Sequence, residues 1–314
     1  MRVDLYGDKK TIVRRMGLQK ASVQRNVFLF VAIVPCLAGY ILFTLYPNVM
    51  SVYYAFLNWD GITAAQFVGF DNFVAMVKDK FVWRALSHNL VYMLVVPAVT
   101  MLLSLILAYL LSNKGYREGT FYKVLFFFPN ILSSVVIALL WAFIYDGSFG
   151  ILNALLKLVG INNGEFYWLG DTRTALWALV LPMIWGGVGL YVVIFMNAMS
   201  GIPKSLYEAA VLEGASHMQR LFRITIPLMS GVIRVGVLFT VLGVLKGFET
   251  MLIMTNGGPE GSTDVIGLYM FNLAFGSGYH NYGYASAIGM FLFVILIGAK
   301  WVIDKYSPKD DVEF

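Results

Sequence analysis

The segment YEAAVLEGASHMQRLFRITIP, from Tyr207 to Pro227, separates two long apolar runs of the sequence. It carries four charged side chains, Glu208, Glu213, Arg220 and Arg223. Such a segment is a poor membrane span, because each charge at the centre of a bilayer costs about 3 kcal/mol. The apolar runs on both sides are long enough to cross a bilayer. The sequence therefore predicts a polar connection at the membrane surface.

The same segment contains the start and stop signals of two short helices. Ser205 and Glu208 have the spacing of a capping box, and Gly214 is the residue type that ends a helix in a left-handed conformation. Ser216 and Gln219 repeat the capping-box spacing at the start of a second helix. We predict a first helix over about 206–213, a glycine turn, and a second helix that runs to Pro227. At about 12 Å, the first helix is too short to span a membrane.

The composition is that of a membrane protein. Of the 314 residues, 59% are hydrophobic and 13% are charged, whereas about a quarter of the residues in soluble domains are charged. A spanning helix needs about 20 consecutive, mostly apolar residues. We therefore predict an all-α membrane protein with six transmembrane helices and cytoplasmic termini. The spans are expected at about 28–46, 90–111, 124–145, 175–196, 226–248 and 284–303, with a separate interfacial helix within 265–283.

Basic residues give the predicted orientation. They concentrate in the N-terminal tail and in the second and fourth loops, which places these segments and the C-terminal tail in the cytoplasm. The predicted organisation is a basic tail over 1–25, a membrane domain over 26–304 with the polar connection at about 201–227, and a tail over 305–314. The net charge of +5 follows from this topology and indicates no nucleic-acid partner.

The motifs of catalysis and of nucleotide or metal binding are missing from the sequence. No Gly-Lys dipeptide occurs, so the chain has no Walker A loop. His88, His217 and His280 are far apart and form no metal-binding pattern, and Cys36 is the single cysteine. We expect no catalytic, cofactor-binding or metal-binding residues. An integral-membrane enzyme is disfavoured for this reason. An ion-gradient-driven secondary transporter remains the alternative function, although the spans lack the acidic residues that ion coupling usually needs.

The polar connection resembles the cytoplasmic loop of permease subunits in binding-protein-dependent ABC importers. That family has Glu-Ala-Ala, three residues, Gly, nine residues, then Ile-x-Leu-Pro. Here the motif reads Glu208, Ala209, Ala210, Gly214, Ile224, Ile226 and Pro227, with isoleucine in place of leucine. The segments TNGGP (Thr255 to Pro259) and FVGFDNF (Phe67 to Phe73) resemble the maltose-type, carbohydrate-uptake branch.

The resemblance implies a role for the loop and a set of partners. It makes the first short helix a coupling helix that sits in a cleft of a cytoplasmic ATPase subunit, through Glu208, Ala209, Ala210, Glu213 and Gly214. It implies a second, different permease, two ATPase subunits that bind ATP and Mg²⁺, an extracytoplasmic solute-binding protein and a sugar substrate. The chain ends in DKYSPKDDVEF, without the glycine- and lysine-containing tail of the partner type. The implied location is the cytoplasmic membrane of a prokaryote.

The resemblance also implies a mid-membrane substrate site on the helices that flank the loop. The matching segments are WGGVGLY and LFTVLGVLKGFE, and the substrate-pathway residues that we predict are Trp185, Gly187, Tyr191, Thr240, Val244 and Lys246. Two alternatives stay open at this point. The glycines are better explained by close helix packing, the more common role of small residues in membrane helices, and Lys246 would equally extend its amine to the outer interface.

Overall fold

The computed structural model describes residues 24–113, 119–161 and 165–306. The predicted tails therefore lie outside the described residues, apart from positions 24, 25, 305 and 306. In chain order the elements are α1 (Gln24–Tyr54), β1 (Leu57–Asn58), β2 (Gln66–Phe67), α2 (Asp71–Lys78), α3 (Lys80–Asn113), α4 (Gly119–Ile131), α5 (Ser134–Ile144), α6 (Ile151–Leu158), α7 (Ala175–Ser200), α8 (Lys204–Leu212), α9 (His217–Leu228), α10 (Ser230–Lys246), α11 (Glu249–Met254), α12 (Ile266–Phe275) and α13 (Tyr282–Tyr306).

Four of these helices, α1, α3, α7 and α13, are long and apolar enough to cross a membrane. Two further spans are bent pairs: α4 and α5 meet at 98°, and α9 and α10 meet at 74°. The described chain therefore has four continuous spans, or six if each bent pair counts as one, which fits the predicted number. The separate helix predicted within 265–283 is confirmed as α12.

The third and fifth spans are each broken into two helices. Pro129 lies in the last turn of α4, and the chain leaves helical geometry at Ser133, whose extended backbone and side chain cap α5. Proline weakens a helix because it lacks an N–H and crowds the preceding turn. The fifth span breaks at Met229, where the backbone leaves helical geometry between α9 and α10. Hydropathy does not reveal either break, because the residues immediately around Ser133 and Met229 are mostly apolar.

Helix α7 is the centre of the bundle and packs against α3 and α4. Its side chains Val192 and Phe195 are fully buried, as is Tyr92 of α3. Ser104 of α3 donates a hydrogen bond to the carbonyl of Val188 at 2.9 Å, which fixes the register of the two helices. The apolar side chains of α1, in contrast, are exposed over its membrane-length window. The core thus excludes the first span.

The loop that follows α11 is fastened to the start of α3. Arg84 donates to the carbonyl of Glu260 at 2.9 Å and lies 3.4 Å from the carboxylate of Asp264. The side chain of Asn89 accepts the N–H of Ile266 at 2.8 Å. Burial raises the pKa of Asp264, although the charges of Arg84 and His88 act against the shift. The TNGGP motif therefore belongs to a turn that is held against the start of α3.

Asp79 joins three elements at the same end of the bundle. One carboxylate oxygen accepts hydrogen bonds from the hydroxyls of Tyr269 (2.8 Å) and Tyr284 (2.7 Å), and the other accepts the N–H of Phe81 (2.8 Å). Burial alone would raise the pKa of Asp79, but these hydrogen bonds outweigh it and hold the pKa below the ordinary value of 3.8. The ionised carboxylate therefore stabilises the packing of α12 and α13 against α3.

This arrangement predicts a pH-dependent stability. Because the folded-state pKa of Asp79 is depressed, its contribution is complete above about pH 4 and is lost as the pH falls through the folded pKa. At neutral pH, Asp79→Asn should lower the thermal unfolding temperature of the subunit in nanodiscs. The difference from wild type should shrink on acidification, because the wild-type carboxyl then also becomes neutral. The control is Asp71→Asn, at an exposed carboxylate of α2. An Asp79→Asn difference that is the same at every pH would contradict the assignment.

Candidate coupling and translocation sites

Helix α8 forms the first half of the polar connection, with bounds close to the prediction. It begins at Lys204 directly after Pro203, and no side chain caps its N-terminus. The predicted capping box of Ser205 and Glu208 is wrong, because Ser205 already lies inside the helix. Pro203 is the N-cap residue, and the helix begins two residues earlier than a cap at Ser205 would place it.

The C-terminus of α8 is closed as the sequence predicts. Gly214 has a φ of +78°, in the left-handed region. The N–H of Ala215 bonds the carbonyl of Ala210 at 2.8 Å, and the N–H of Gly214 bonds that of Val211 at 3.0 Å. These two bonds are the pair that defines a Schellman motif. The end of α8 is therefore a fixed turn.

The second half of the connection is tied both to α8 and to the bundle. The predicted capping box of Ser216 and Gln219 is confirmed, with bonds of 2.7 and 3.3 Å. Tyr207 of α8 contacts the hydroxyl of Thr225 on α9 at 2.9 Å. Tyr109 of α3 donates to the carbonyl of His217 at 2.9 Å. A displacement of α8 would thus be transmitted to α9 and α3.

The outer surface of this connection combines apolar and acidic side chains. Glu208, Ala209, Glu213 and Gly214 are exposed, and Ala210 is half-buried. Leu212 is 89% exposed, and the apolar side chains of Val211, Met218 and Phe222 are exposed with it. We call these four apolar residues the α8–α9 apolar patch. A rigid helix that presents large apolar groups to solvent is typical of a protein interaction site.

The predicted substrate-pathway residues differ in how far they are buried. Tyr191 and Val244 are buried among the bundle helices, and Trp185, Gly187 and Thr240 are partly buried. Thr240 donates to the hydroxyl of Tyr191 at 2.7 Å, which joins α10 to α7. The role of these residues in the substrate pathway stays a prediction. In this conformation the hydroxyls of Tyr191 and Thr240 are hydrogen-bonded to each other.

Lys246 is exposed at the end of α10. If its amine lines the pathway, Lys246→Met should lower the transport rate substantially and leave the amount of assembled protein unchanged. If the amine instead extends to the interface, the methionine variant should transport at the wild-type rate. Uptake into proteoliposomes measures this, and Lys300→Met, at an exposed lysine on α13, is the matched control. Unchanged rate and substrate preference in Lys246→Met would remove Lys246 from the pathway.

The glycines of the WGGVGLY segment have different surroundings. A methyl group on Gly189 would overlap the carbonyl oxygen of Phe126 on α4, so this glycine permits direct contact of two helix backbones. A methyl group on Gly187 would lie 3.6 Å from Thr100, an ordinary contact. Close packing therefore explains Gly189, whereas Gly187 leaves room for either role.

The break between α4 and α5 presents polar groups that we did not predict as site residues. Asn130, Ser133 and Ser134 are exposed near the middle of an otherwise apolar span. The amide of Asn130 donates to the carbonyl of Gly186 on α7 at 3.3 Å. Beside it, the rings of Trp141 and Trp185 pack edge to face at 6.1 Å, along a cavity of about 440 Å³. The sequence signal that could have revealed the break is the cluster PN and SS inside a hydrophobic run.

Within the described ranges, no three metal-ligating side chains cluster. Arginine and lysine supply the charges in the span formed by α10, at Arg234 and Lys246.

The comparisons with known proteins identify the chain's relatives. Residues 100–309 match the family described as binding-protein-dependent transport system inner membrane component. The chain is 31% identical over 290 residues to the diacetylchitobiose uptake system permease protein NgcF of Streptomyces coelicolor, covering 89% of this chain and 82% of the relative. It is also 31% identical over 274 residues to the multiple sugar-binding transport system permease protein MsmF of Streptococcus mutans, covering 87% and 92%.

A solved structure has the same fold. It is the bacterial alginate ABC transporter in complex with an alginate pentasaccharide-bound periplasmic protein, and one of its chains superimposes with a TM-score of 0.80. The match covers 93% of this chain and 98% of that chain, at 22% sequence identity. The family match covers most of the chain, and the relatives are matched over most of their length. The chain belongs to the family of inner membrane components of binding-protein-dependent transport systems.

Proposed function

We propose that the chain is the membrane-spanning subunit of an ATP-driven importer of a sugar or oligosaccharide, and that α8 couples it to a cytoplasmic ATPase. The named relatives are permeases of uptake systems for diacetylchitobiose and for multiple sugars, which supports the sugar class. The observation that carries the coupling role is the rigid, closed helix α8 beside the α8–α9 apolar patch.

The coupling role follows from mechanical continuity. A helix with a closed C-terminus moves as one body, whereas a flexible loop would absorb a displacement. The bonds from Tyr207 to Thr225 and from Tyr109 to His217 link α8 to α9 and α3. The bend at Met229 allows α9 to rotate without a matching rotation of α10. Closure of the ATPase subunits would thus change the packing of the spans and switch the side of the membrane to which the pathway opens.

The broken third span supports a position for the pathway. Non-helical backbone at membrane depth is tolerated only where it is covered by protein or lines a water-filled cavity, because lipid offers no hydrogen bonds. The exposed Asn130, Ser133 and Ser134 lie at such a break. Amide and hydroxyl groups hydrogen-bond sugar hydroxyls, and the adjacent indoles of Trp141 and Trp185 offer apolar faces to sugar rings. We place the pathway along this break and the WGGVGLY segment.

The proposal includes the partners. A second, different permease completes the pathway and covers the exposed face of α1, two ATPase subunits bind ATP and Mg²⁺, and a solute-binding protein delivers the sugar from outside. The structural relative in complex with a periplasmic protein supports the last of these. The assembly lies in the cytoplasmic membrane of a prokaryote, with both termini of this chain on the α8 side.

Reconstitution tests the proposed function. Proteoliposomes with the chain and its copurifying subunits should take up sugar only with ATP on the α8 side and loaded binding protein on the other. The purified chain alone should neither bind nor hydrolyse ATP. Uptake that needs no ATP and follows a proton or sodium gradient would replace the proposal with a secondary transporter.

A further inference from the structure

Helix α6 carries a row of exposed apolar side chains that the proposed function leaves unused. Ile151, Leu155 and Leu158 lie on one face, at the i, i+4, i+7 spacing of a helical stripe. All three are exposed, and Leu158 is 83% exposed. The opposite face carries the partly buried Asn153 and packs against the loop that follows α6. We call the row of Ile151, Leu155 and Leu158 the α6 stripe.

The stripe cannot turn inward, because α6 is held from both ends and from its inner face. The carboxylate of Asp146 accepts the N–H groups of Ser148 and Phe149 at 2.8 and 3.0 Å, which fixes the entry turn. Asn153 donates to the carbonyl of Phe166 at 2.9 Å and accepts the indole N–H of Trp168 at 2.9 Å. The exposure of the stripe is thus fixed by the fold.

Helix α6 ends in a hydrogen-bonded glycine turn. Gly160 has a φ of +73°, and the N–H of Ile161 bonds the carbonyl of Leu156 at 3.0 Å. This turn leaves Val159 and Ile161 exposed beside the stripe. The apolar surface therefore continues past the last turn of the helix.

The position of α6 fits the edge of a membrane. Helix α7 begins after the loop that contains α6 and ends directly before α8, so α6 and α8 lie on opposite sides of the bilayer. Helix α5 ends at Ile144, seven residues before α6 begins. The exposed ring of Phe143 on α5 contacts the exposed ring of Phe149 at 6.3 Å. The apolar surface of a membrane-embedded helix is thus continuous with that of α6.

The charges around the stripe match a lipid surface better than a charged protein. Between residues 147 and 161, Lys157 is the single ionisable residue, and its exposed side chain lies on a different face of α6 from the stripe. An amphipathic helix at the membrane interface combines an apolar face in the acyl region with basic groups near the phosphates. A lysine stem can extend from that depth to the headgroups.

We infer that α6 lies in the interface of the outer leaflet, with the α6 stripe inserted among acyl chains and Lys157 directed to lipid phosphates. Such an anchor holds the outer end of the broken third span at a fixed depth while the coupling side moves. The inference rests on the membrane-spanning fold and on the proposed orientation of the chain, and it does not depend on ATP-driven sugar transport.

Collision accessibility of nitroxide labels tests the depth of α6. Cys36→Ser removes the single native cysteine, and Leu155→Cys, Leu158→Cys and Lys157→Cys each supply one labelling site. The full-length chain with its copurifying subunits is reconstituted in nanodiscs of mixed neutral and anionic phospholipid, without binding protein. We expect labels at 155 and 158 to collide frequently with oxygen and several-fold less with a water-soluble nickel chelate than the label at 157. A label at the exposed Tyr279 gives the aqueous reference.

Two outcomes overturn the inference. Labels at 155 and 158 that the nickel chelate reaches as easily as position 157 would place the stripe in water. Labels that become protected only when loaded binding protein is added would make the stripe a protein docking surface. A Leu152→Cys label, on a partly buried position of the inner face, controls for altered folding: it should be shielded from both colliders.

Discussion

Gly214→Asp should abolish transport and the stimulation of ATP hydrolysis by loaded binding protein, without preventing membrane insertion. Gly214 has a φ of +78°, which costs a residue with a side chain about 1 kcal/mol. No atom lies within 4 Å of a methyl group at this position, so steric overlap adds nothing. The carboxylate would lie at the C-terminus of α8, where the helix dipole repels a negative charge. The turn should fray, and α8 should lose its fit to the ATPase.

Gly214→Asn separates backbone strain from charge. Asparagine has nearly the same size as aspartate, is uncharged, and adopts the left-handed conformation more readily than most residues. We expect the asparagine variant to keep most of the stimulation and the aspartate variant to lose it. The measurement is ATP hydrolysis by the reconstituted complex with and without loaded binding protein. Full stimulation in Gly214→Asp would make α8 a connector without a coupling role.

Gly189→Ala should lower the stability of the folded bundle. An added methyl group would overlap the backbone of α4 at Phe126, and backbone cannot move aside as a side-chain tip can. The helices would have to separate along the contact between α4 and α7, one of the most extensive in the chain. Overpacking of this kind typically costs about 1–3 kcal/mol.

The matched control lies two residues away on the same helix. A methyl group on Gly187 would meet Thr100 at 3.6 Å, so Gly187→Ala should fold normally. The yield of monodisperse protein and the thermal unfolding temperature in nanodiscs compare the two variants. Equal unfolding temperatures for Gly189→Ala and wild type would show that α4 and α7 do not approach as closely as the structure has them.

The elements that the sequence predicts well are those with a local physical cause. Span number follows from apolar runs, and the turn at Gly214 and the capping box at Ser216 follow from residues within a few positions. The predicted Ser205 capping box is wrong because the helix begins after Pro203 instead. Both residues are typical of a helix start, and the motif alone does not show which of them the chain uses.

The elements that the sequence does not predict depend on tertiary contacts. Whether Pro129 bends or breaks its span depends on how neighbouring helices satisfy the freed backbone groups. The burial of Tyr191 and Val244 depends on the rotation of α7 and α10 about their axes, which neither hydropathy nor a glycine-rich segment determines. The α8–α9 apolar patch escapes sequence analysis for a related reason. Leucine and methionine in a short helix indicate burial, and only the packed structure leaves Leu212 and Met218 in solvent.

Photo-cross-linking from position 212 tests most directly whether α8 docks on an ATPase. A photoreactive phenylalanine analogue replaces Leu212, whose side chain is 89% exposed, in the assembled complex in nanodiscs. The same analogue at Tyr279, on the opposite side of the membrane, is the control. We predict a covalent adduct between position 212 and the ATP-hydrolysing subunit, with a yield that changes when ATP binds, and no such adduct from position 279. Adducts from position 212 to lipid or to the second permease alone would contradict the coupling role of α8.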